Sequence, residues 1–252
     1  MDYKIYKNCI SNKSSKKLFD FLLKSCNFYC PTLFKEDDNY TKTWADEKFI
    51  LKMKEFRKKY KSRFSAMYNS IQVSNELQRI IFDSNLDLLA KKFLKIKIDD
   101  LLVRGILLRM DFPFDTRNSY GWHQDNAYDR YNLRSNNGAV LWIPLIDTNK
   151  KNGTLIIKVG SQYSTFNCSE KIKKTSKYTS EQIIVKKNFL KKYKSKSVNV
   201  KKNSALTTYC GIFHKSGVNT SEQIRFTIVV RYNNQFSKDF LYYRNLINKQ
   251  AV

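Results

Sequence analysis

The sequence predicts a mainly β core with flanking helices: a helix-rich first part packed on an antiparallel sandwich or barrel. Three observations carry this. No glycine occurs before Gly105, and apolar residues in that part recur at helical spacing. After residue 100 the texture changes to short β-rich runs separated by turn residues. No internal repeat and no Pro- or Gly-rich linker separates the two parts, so residues 1–100 and 101–252 are expected to form one structural unit.

The helical evidence is specific. Phe49, Ile50, Met53, Phe56, Tyr60 and Phe64 recur at three- and four-residue steps with lysines between them. A second stripe carries Leu77, Ile80, Ile81, Leu88, Leu89, Phe93 and Leu94. Both read as core-facing helix surface. The β runs are Leu102–Met110, Ala139–Ile146, Thr154–Val159, Gln182–Val185, Ala205–Cys210 and Ile224–Tyr232. Their connectors include Asn136-Asn137-Gly138 and Lys151-Asn152-Gly153, which are turn chemistry. Strands with no long helix between them favour antiparallel architecture.

Composition narrows the class. The 252 residues carry 47 Lys+Arg against 22 Asp+Glu, a formal charge of +25. At 42% hydrophobic and 14% aromatic the chain buries a sizeable core, which argues against disorder. No apolar run approaches the ~20 residues of a membrane span, and Met1-Asp2-Tyr3-Lys4 does not start an apolar leader. A soluble, cytoplasmic protein without a membrane partner is the expectation. The basic excess raises nucleic acid as a partner. However, lysines outnumber arginines 36 to 11, and Asn, Ile, Tyr and Phe are abundant, as an AT-rich coding sequence would produce. Between Glu170 and Lys202 there are 12 lysines and two glutamates. A solvated segment is the simplest reading, and recognition of an anionic substrate the second. The cysteines, Cys9, Cys26, Cys30, Cys168 and Cys210, are odd in number and lack zinc-like spacing, so buried reduced thiols are expected.

The chemistry concentrates around the only two histidines, His123 and His214. In Gly121-Trp122-His123-Gln124-Asp125, alternate residues of an extended segment place an imidazole and a carboxylate on one side. Two histidines and one carboxylate suit Fe(II) and leave three coordination positions open. A lone His-x-Asp is weak evidence; His214, between two late β runs, is the candidate that completes it. Arg225, 11 residues further on, lies in an apolar run, where a guanidinium is costly unless paired. A carboxylate ligand would satisfy its fork.

With these residues the chain from about 100 to 233 resembles the phytanoyl-CoA dioxygenase family of Fe(II)/2-oxoglutarate oxygenases. The motifs are Trp122-His123-Gln124-Asp125, Val140-Leu141-Trp142-Ile143-Pro144-Leu145, Asn152-Gly153-Thr154-Leu155 running to Gly160-Ser161-Gln162, and His214-Lys215-Ser216-Gly217-Val218-Asn219 followed by Arg225. The resemblance implies a double-stranded β-helix, or jelly roll, with helices outside. It implies Fe(II) held by His123, Asp125 and His214, with 2-oxoglutarate and O2 as co-substrates. Arg225 is the implied partner of the distal 2-oxoglutarate carboxylate, with Ser216, Trp142 and Arg109 as further co-substrate contacts. Two departures stand out. Gln162 replaces the histidine of a Gly-Ser-His motif, and Lys215 stands where glycine is usual. Asp125 occupies the position that related halogenases give to a small residue, so hydroxylation or another oxidation is the implied reaction.

A small molecule is the expected substrate, with release of succinate and CO2. Asp129–Asn137 and Cys168–Lys202 are expected to shape specificity. Arg130 and Arg134 are expected to face the barrel mouth, and Lys215, beside the distal ligand, either to contact substrate or to point to solvent; together these cations favour an anionic substrate. The competing readings are a catalytically silent jelly-roll binding protein and a basic nucleic-acid-binding protein. The second is weakened because Lys186–Lys202 interleaves only Phe189 and Tyr193 among its lysines.

Overall fold

The computed structural model describes residues 2–35, 39–115, 120–128, 137–164, 168–173 and 181–238. The first part contains β1 (Tyr3–Tyr6) and five helices: α1 (Asn12–Tyr29), α2 (Glu47–Lys59), α3 (Lys61–Gln72), α4 (Asn75–Asp83) and α5 (Leu86–Leu94). Side-chain caps mark three helix starts. Ser11 accepts from the Ser14 amide, Asp46 from Phe49 and Ser74 from Leu77, each satisfying an amide with no partner inside its helix. The stripe from Phe49 to Phe64 is not one helix. It breaks at Tyr60, between α2 and α3. Phe49, Ile50, Met53 and Phe56 are buried as the spacing requires, whereas Leu88 is half exposed on the outer side of α5.

The β core comprises β2 (Leu101–Asp111), β3 (Gly138–Pro144), β4 (Leu155–Lys158), β5 (Ser169–Ile172), β6 (Gln182–Val185), β7 (Ser195–Val198), β8 (Ala205–Tyr209), β9 (His214–Ser216) and β10 (Arg225–Asn234); α6 (Lys187–Leu190) precedes β7. A five-stranded sheet runs β1-β8-β3-β10-β2, a three-stranded sheet runs β7-β4-β9, and β5 pairs with β6. Among the described residues every pairing is antiparallel.

Strand alternation explains how one sheet serves two cores. Leu141, Ile143, Phe226, Ile228 and Val230 join the helices in the larger cluster. Their neighbours Val140, Trp142, Val229 and Leu206 point the other way, onto Leu155, Ile157 and Val198 of the second sheet. Phe226, fully buried, touches Trp44 at 4.9 Å between ring centroids and Phe49 at 6.2 Å. The result is a jelly roll with helices on one outer face.

All six β runs read from sequence contain strands. Four strands escaped. β5 and β7 are largely exposed and polar, so they lack the apolar alternation that marks a strand; β9 has three residues. β1 lies among helices and becomes a strand only by pairing with β8, 200 residues later. The first part is therefore not wholly helical. Among the described residues no helix is long and apolar enough to cross a membrane.

Candidate active site

His123, Asp125 and His214 come together, one ligand atom of each lying within 4.8 Å of the others. The backbone arranges this. The amides of His123 and His214 each donate to the other's carbonyl at 3.0 Å, so the two ligands face one another across an antiparallel bridge. Their rings lie 4.2 Å apart. The Asp125 amide donates to Cys210 O at 3.0 Å, and Asp125 opens a short helical turn ending at Tyr128. From Asp125 Oδ1, His123 Nε2 is 3.8 Å away and His214 Nε2 3.9 Å. All three side chains are buried.

The tautomers follow from the hydrogen bonds. His123 Nδ1 contacts Gly121 O at 2.8 Å, and His214 Nδ1 contacts Ile212 O at 3.1 Å. A carbonyl only accepts, so each Nδ1 carries the proton and each Nε2 lone pair faces the cluster. This is the usual support of a metal-ligating imidazole. Burial, reinforced by His214, lowers the pKa of His123 to about 3, so its imidazole is neutral at physiological pH. For Asp125, burial alone would raise the pKa. Arg231 and the two histidines outweigh it and hold the carboxyl well below the usual range. Arg231 Nη2 donates to Asp125 Oδ1 at 3.1 Å and Arg104 Nη2 to its main-chain carbonyl at 2.9 Å. Asp125 Oδ2 is buried and has no hydrogen-bond partner.

Arg225 lies at the start of β10, 1% exposed. Its Nη2 donates to Asp111 Oδ2 at 2.9 Å and its Nη1 to Asn152 O at 3.1 Å, while its Nε is buried without a partner. Its guanidinium carbon is 5.7 Å from the centre of the Trp142 ring. Arg109 also donates to Asp111, at 2.9 Å. Burial lowers the Arg225 pKa and would raise that of Asp111, but both arginines beside Asp111 bring its carboxyl below the usual value. The buried group is two guanidinium ions around one carboxylate. Gly153 makes this approach possible: at φ +84°, a Cβ there would lie 2.6 Å from Arg225 Nη1.

The other sequence candidates divide. Trp142 is buried with its Nε1 unpartnered. By alternation Trp142 belongs to the inner face of the sheet, with Arg225 and Thr227, whose Oγ1 is likewise buried and unpartnered. Ser216 is buried on β9, two residues from His214 and therefore on its side of the strand. Lys215 points to the opposite side and sits 5.1 Å from the Trp122 ring centre, with Lys158 5.2 Å from the same ring. Gln162 donates to Asp2 Oδ1 at 2.6 Å, away from the triad. Arg130, Arg134 and most of Asp129–Asn137 lie outside the described residues. All five cysteines are free, four of them buried.

Sequence reasoning missed Asp111, Arg104 and Arg231, and named Asn152 only within a motif, without its contact to Arg225. Asp111 had a local signal, since Arg109-x-Asp111 places opposite charges on one strand face. The contacts of Arg104 and Arg231 with Asp125 span 21 and 106 residues and left none.

Fold and triad together define a jelly-roll protein with a two-histidine, one-carboxylate cluster inside it. The chain belongs to the phytanoyl-CoA dioxygenase family: the family model described as Phytanoyl-CoA dioxygenase matches residues 37–227. No curated protein sequence matches significantly. Solved structures with the same fold include AviO1 from Streptomyces viridochromogenes Tue57, with 15% identity and a TM-score of 0.54, over 95% of this chain and 92% of that one. SnoN, a non-heme alpha ketoglutarate dependent epimerase from nogalamycin biosynthesis, matches with 11% identity and a TM-score of 0.56, over 92% and 78%. EvdO2 from Micromonospora carbonacea var. aurantiaca, solved with 2-oxoglutarate, matches with 16% identity and a TM-score of 0.50, over 66% of this chain. The matched part spans 62% of EvdO2.

Proposed function

We propose that this protein is an Fe(II)- and 2-oxoglutarate-dependent dioxygenase that hydroxylates a small molecule, with release of succinate and CO2. The observation that carries this reading is the donor set: two imidazoles whose Nδ1 atoms are engaged by backbone carbonyls, leaving both Nε2 atoms toward the cluster, and a carboxylate with one unpartnered buried oxygen. An unpaired buried oxygen is costly, and a divalent cation would satisfy it. The set suits Fe(II) and leaves positions for a chelating co-substrate and O2. The second half of the fit is the surplus of buried donors: Arg225 Nε, Trp142 Nε1 and the Thr227 hydroxyl have no partner. Two guanidinium ions around Asp111 leave positive charge for the distal carboxylate of 2-oxoglutarate. Membership of the family, the 2-oxoglutarate bound by EvdO2 and the alpha ketoglutarate dependence of SnoN support the iron and 2-oxoglutarate part of this reading.

When bound, Fe(II) with 2-oxoglutarate supplies the activation of O2. The chain supplies position and charge. His123 and His214 are held with their lone pairs inward by Gly121 O and Ile212 O. Asp125 stays ionised beside Arg231. Arg225, with Ser216, Trp142 and Arg109, would orient the co-substrate in a water-poor interior.

The test is anaerobic Fe(II) titration and substrate-uncoupled 2-oxoglutarate turnover. One Fe(II) per chain is expected. His123→Ala, Asp125→Ala and His214→Ala should each weaken metal binding by at least ~100-fold while the circular-dichroism spectrum is retained. Full metal binding and turnover in all three variants would refute the assignment.

A further inference from the structure

Cys168 and strands β5 and β6, in the lysine-rich stretch between β4 and β7, pack onto the segment that carries His123 and Asp125. Four residues of that segment are bonded to them. The Gly121 amide donates to Gln182 Oε1 at 2.9 Å. Trp122 O accepts from the Val185 amide at 2.7 Å. Gln124 Oε1 accepts from Cys168 Sγ at 3.1 Å and from Ser169 Oγ at 3.4 Å. The Tyr128 hydroxyl accepts from the Ile183 amide at 2.7 Å and donates to Ile183 O at 3.1 Å. Gln182, Gln124 and Val185 are buried, so the bonds from Gly121 to Gln182 and from Cys168 to Gln124 are made away from water.

The contacts converge on one imidazole. Gly121, gripped by Gln182, carries the carbonyl that fixes the His123 tautomer. The Tyr128 ring, tied down by Ile183, stands edge-on to His123, with centroids 5.6 Å apart and planes at 87°. Lysines of β5 and α6 are exposed; the polar and apolar residues between them make the contacts. A solvated segment would make none of them.

We infer that the β5–β6 hairpin is a positioning element for the metal centre, a strap whose Gln182 and Ile183 act through Gly121 and Tyr128 to hold His123 in ligating geometry. Metal ligands must be held within about half an ångström of their working positions by neighbours that are themselves fixed. On its other side the His123 segment is held by its bridge to His214, by the Asp125 amide on Cys210 O and by Gln124 Nε2 on Gly211 O at 2.8 Å. The inference rests on reading His123, Asp125 and His214 as metal ligands. The alternative is a hairpin that covers a sheet edge and contributes stability alone.

The experiment uses the full-length, metal-free protein and Co(II) as probe. Tyr128→Phe removes only the hydroxyl latch and keeps the ring against His123. Gln182→Leu removes the acceptor for Gly121. Lys171→Ala, on the exposed side of β5, tests whether charge matters. Co(II) affinity, melting temperature and amide exchange at residues 121–125 are measured for each. The strap requires Co(II) binding about tenfold or more weaker in both latch variants. It also requires exchange at 121–125 at least tenfold faster, with exchange in β10 unchanged and melting within a few degrees of wild type. Lys171→Ala should match wild type. Wild-type affinity in both latch variants would overturn the strap, as would affinity falling only in step with melting temperature. His214→Ala separates the two ideas. If it binds Co(II) as tightly as wild type, the metal-ligand reading fails, while exchange at 121–125 still reports whether the hairpin holds that segment.

Discussion

At the start of β10, Arg225 meets three different groups. Asp111, shared with Arg109, pairs with it, Asn152 O takes one further N–H, and Trp142 lies beside its guanidinium. A buried arginine is tolerated only with such partners. Its Nε–H is buried and unsatisfied. Arg225→Lys keeps the charge and loses the planar fork, so the apparent KM for 2-oxoglutarate should rise by tenfold or more. Fe(II) affinity, set by other residues, should change less than threefold. Trp142→Phe keeps the ring and removes one donor; a smaller rise in the same KM is expected. An unchanged KM with lost iron would show that Arg225 serves the metal instead. At this scale the candidate site was legible in the sequence where its chemistry is rare. Only two histidines exist, and one sits in a His-x-Asp pair. The partners of that pair, Arg231 and Arg104, were not legible, because arginine is a common residue type and both contacts with Asp125 are made by tertiary structure.

Single elements show how local sequence and tertiary demand share the work. Helix α2 begins at Asp46, whose carboxylate accepts from the Phe49 amide at 2.8 Å, and from the Thr41 amide and hydroxyl at 2.6 and 2.7 Å. One side chain thus caps the helix and closes the preceding turn. Burial opposes ionisation of Asp46, but these donors prevail and lower its pKa. Asp46→Ala should cost about 2 kcal/mol, the upper end for an N-cap, because it also frees the Thr41 donors. Chemical denaturation reads this directly, and a loss below about 0.5 kcal/mol would mean that the cap contributes little. This start carries a local signal. β5 and β7 carry none, because exposed polar strands are fixed by their partners rather than by their own residues.

For the whole molecule, the fold buries charge that the unfolded chain exposes, and pH reads that difference. Burial, with His214, lowers the folded-state pKa of His123 from 6.5 to about 3. As pH falls below 6.5, the unfolded chain takes up a proton that the folded chain refuses. Stability must fall with decreasing pH in that window, by about 1.4 kcal/mol per unit at most. Asp111 and Asp125 act lower down. Their folded pKa values are depressed, so their contribution is complete above about pH 4 and is lost as pH falls through the folded values. The positive excess compounds the acid loss, because protonating carboxylates raises a charge that already stands at +25. Metal-free protein should therefore melt at progressively lower temperature from about pH 6.5 downward, more steeply at low salt. His123→Gln removes the titrating imidazole and should flatten the curve between pH 6.5 and 4.5, while leaving the steep loss below pH 4. Melting curves of both proteins across pH 3 to 8 decide the matter. A variant curve parallel to wild type through the upper window would place the acid sensitivity on other groups.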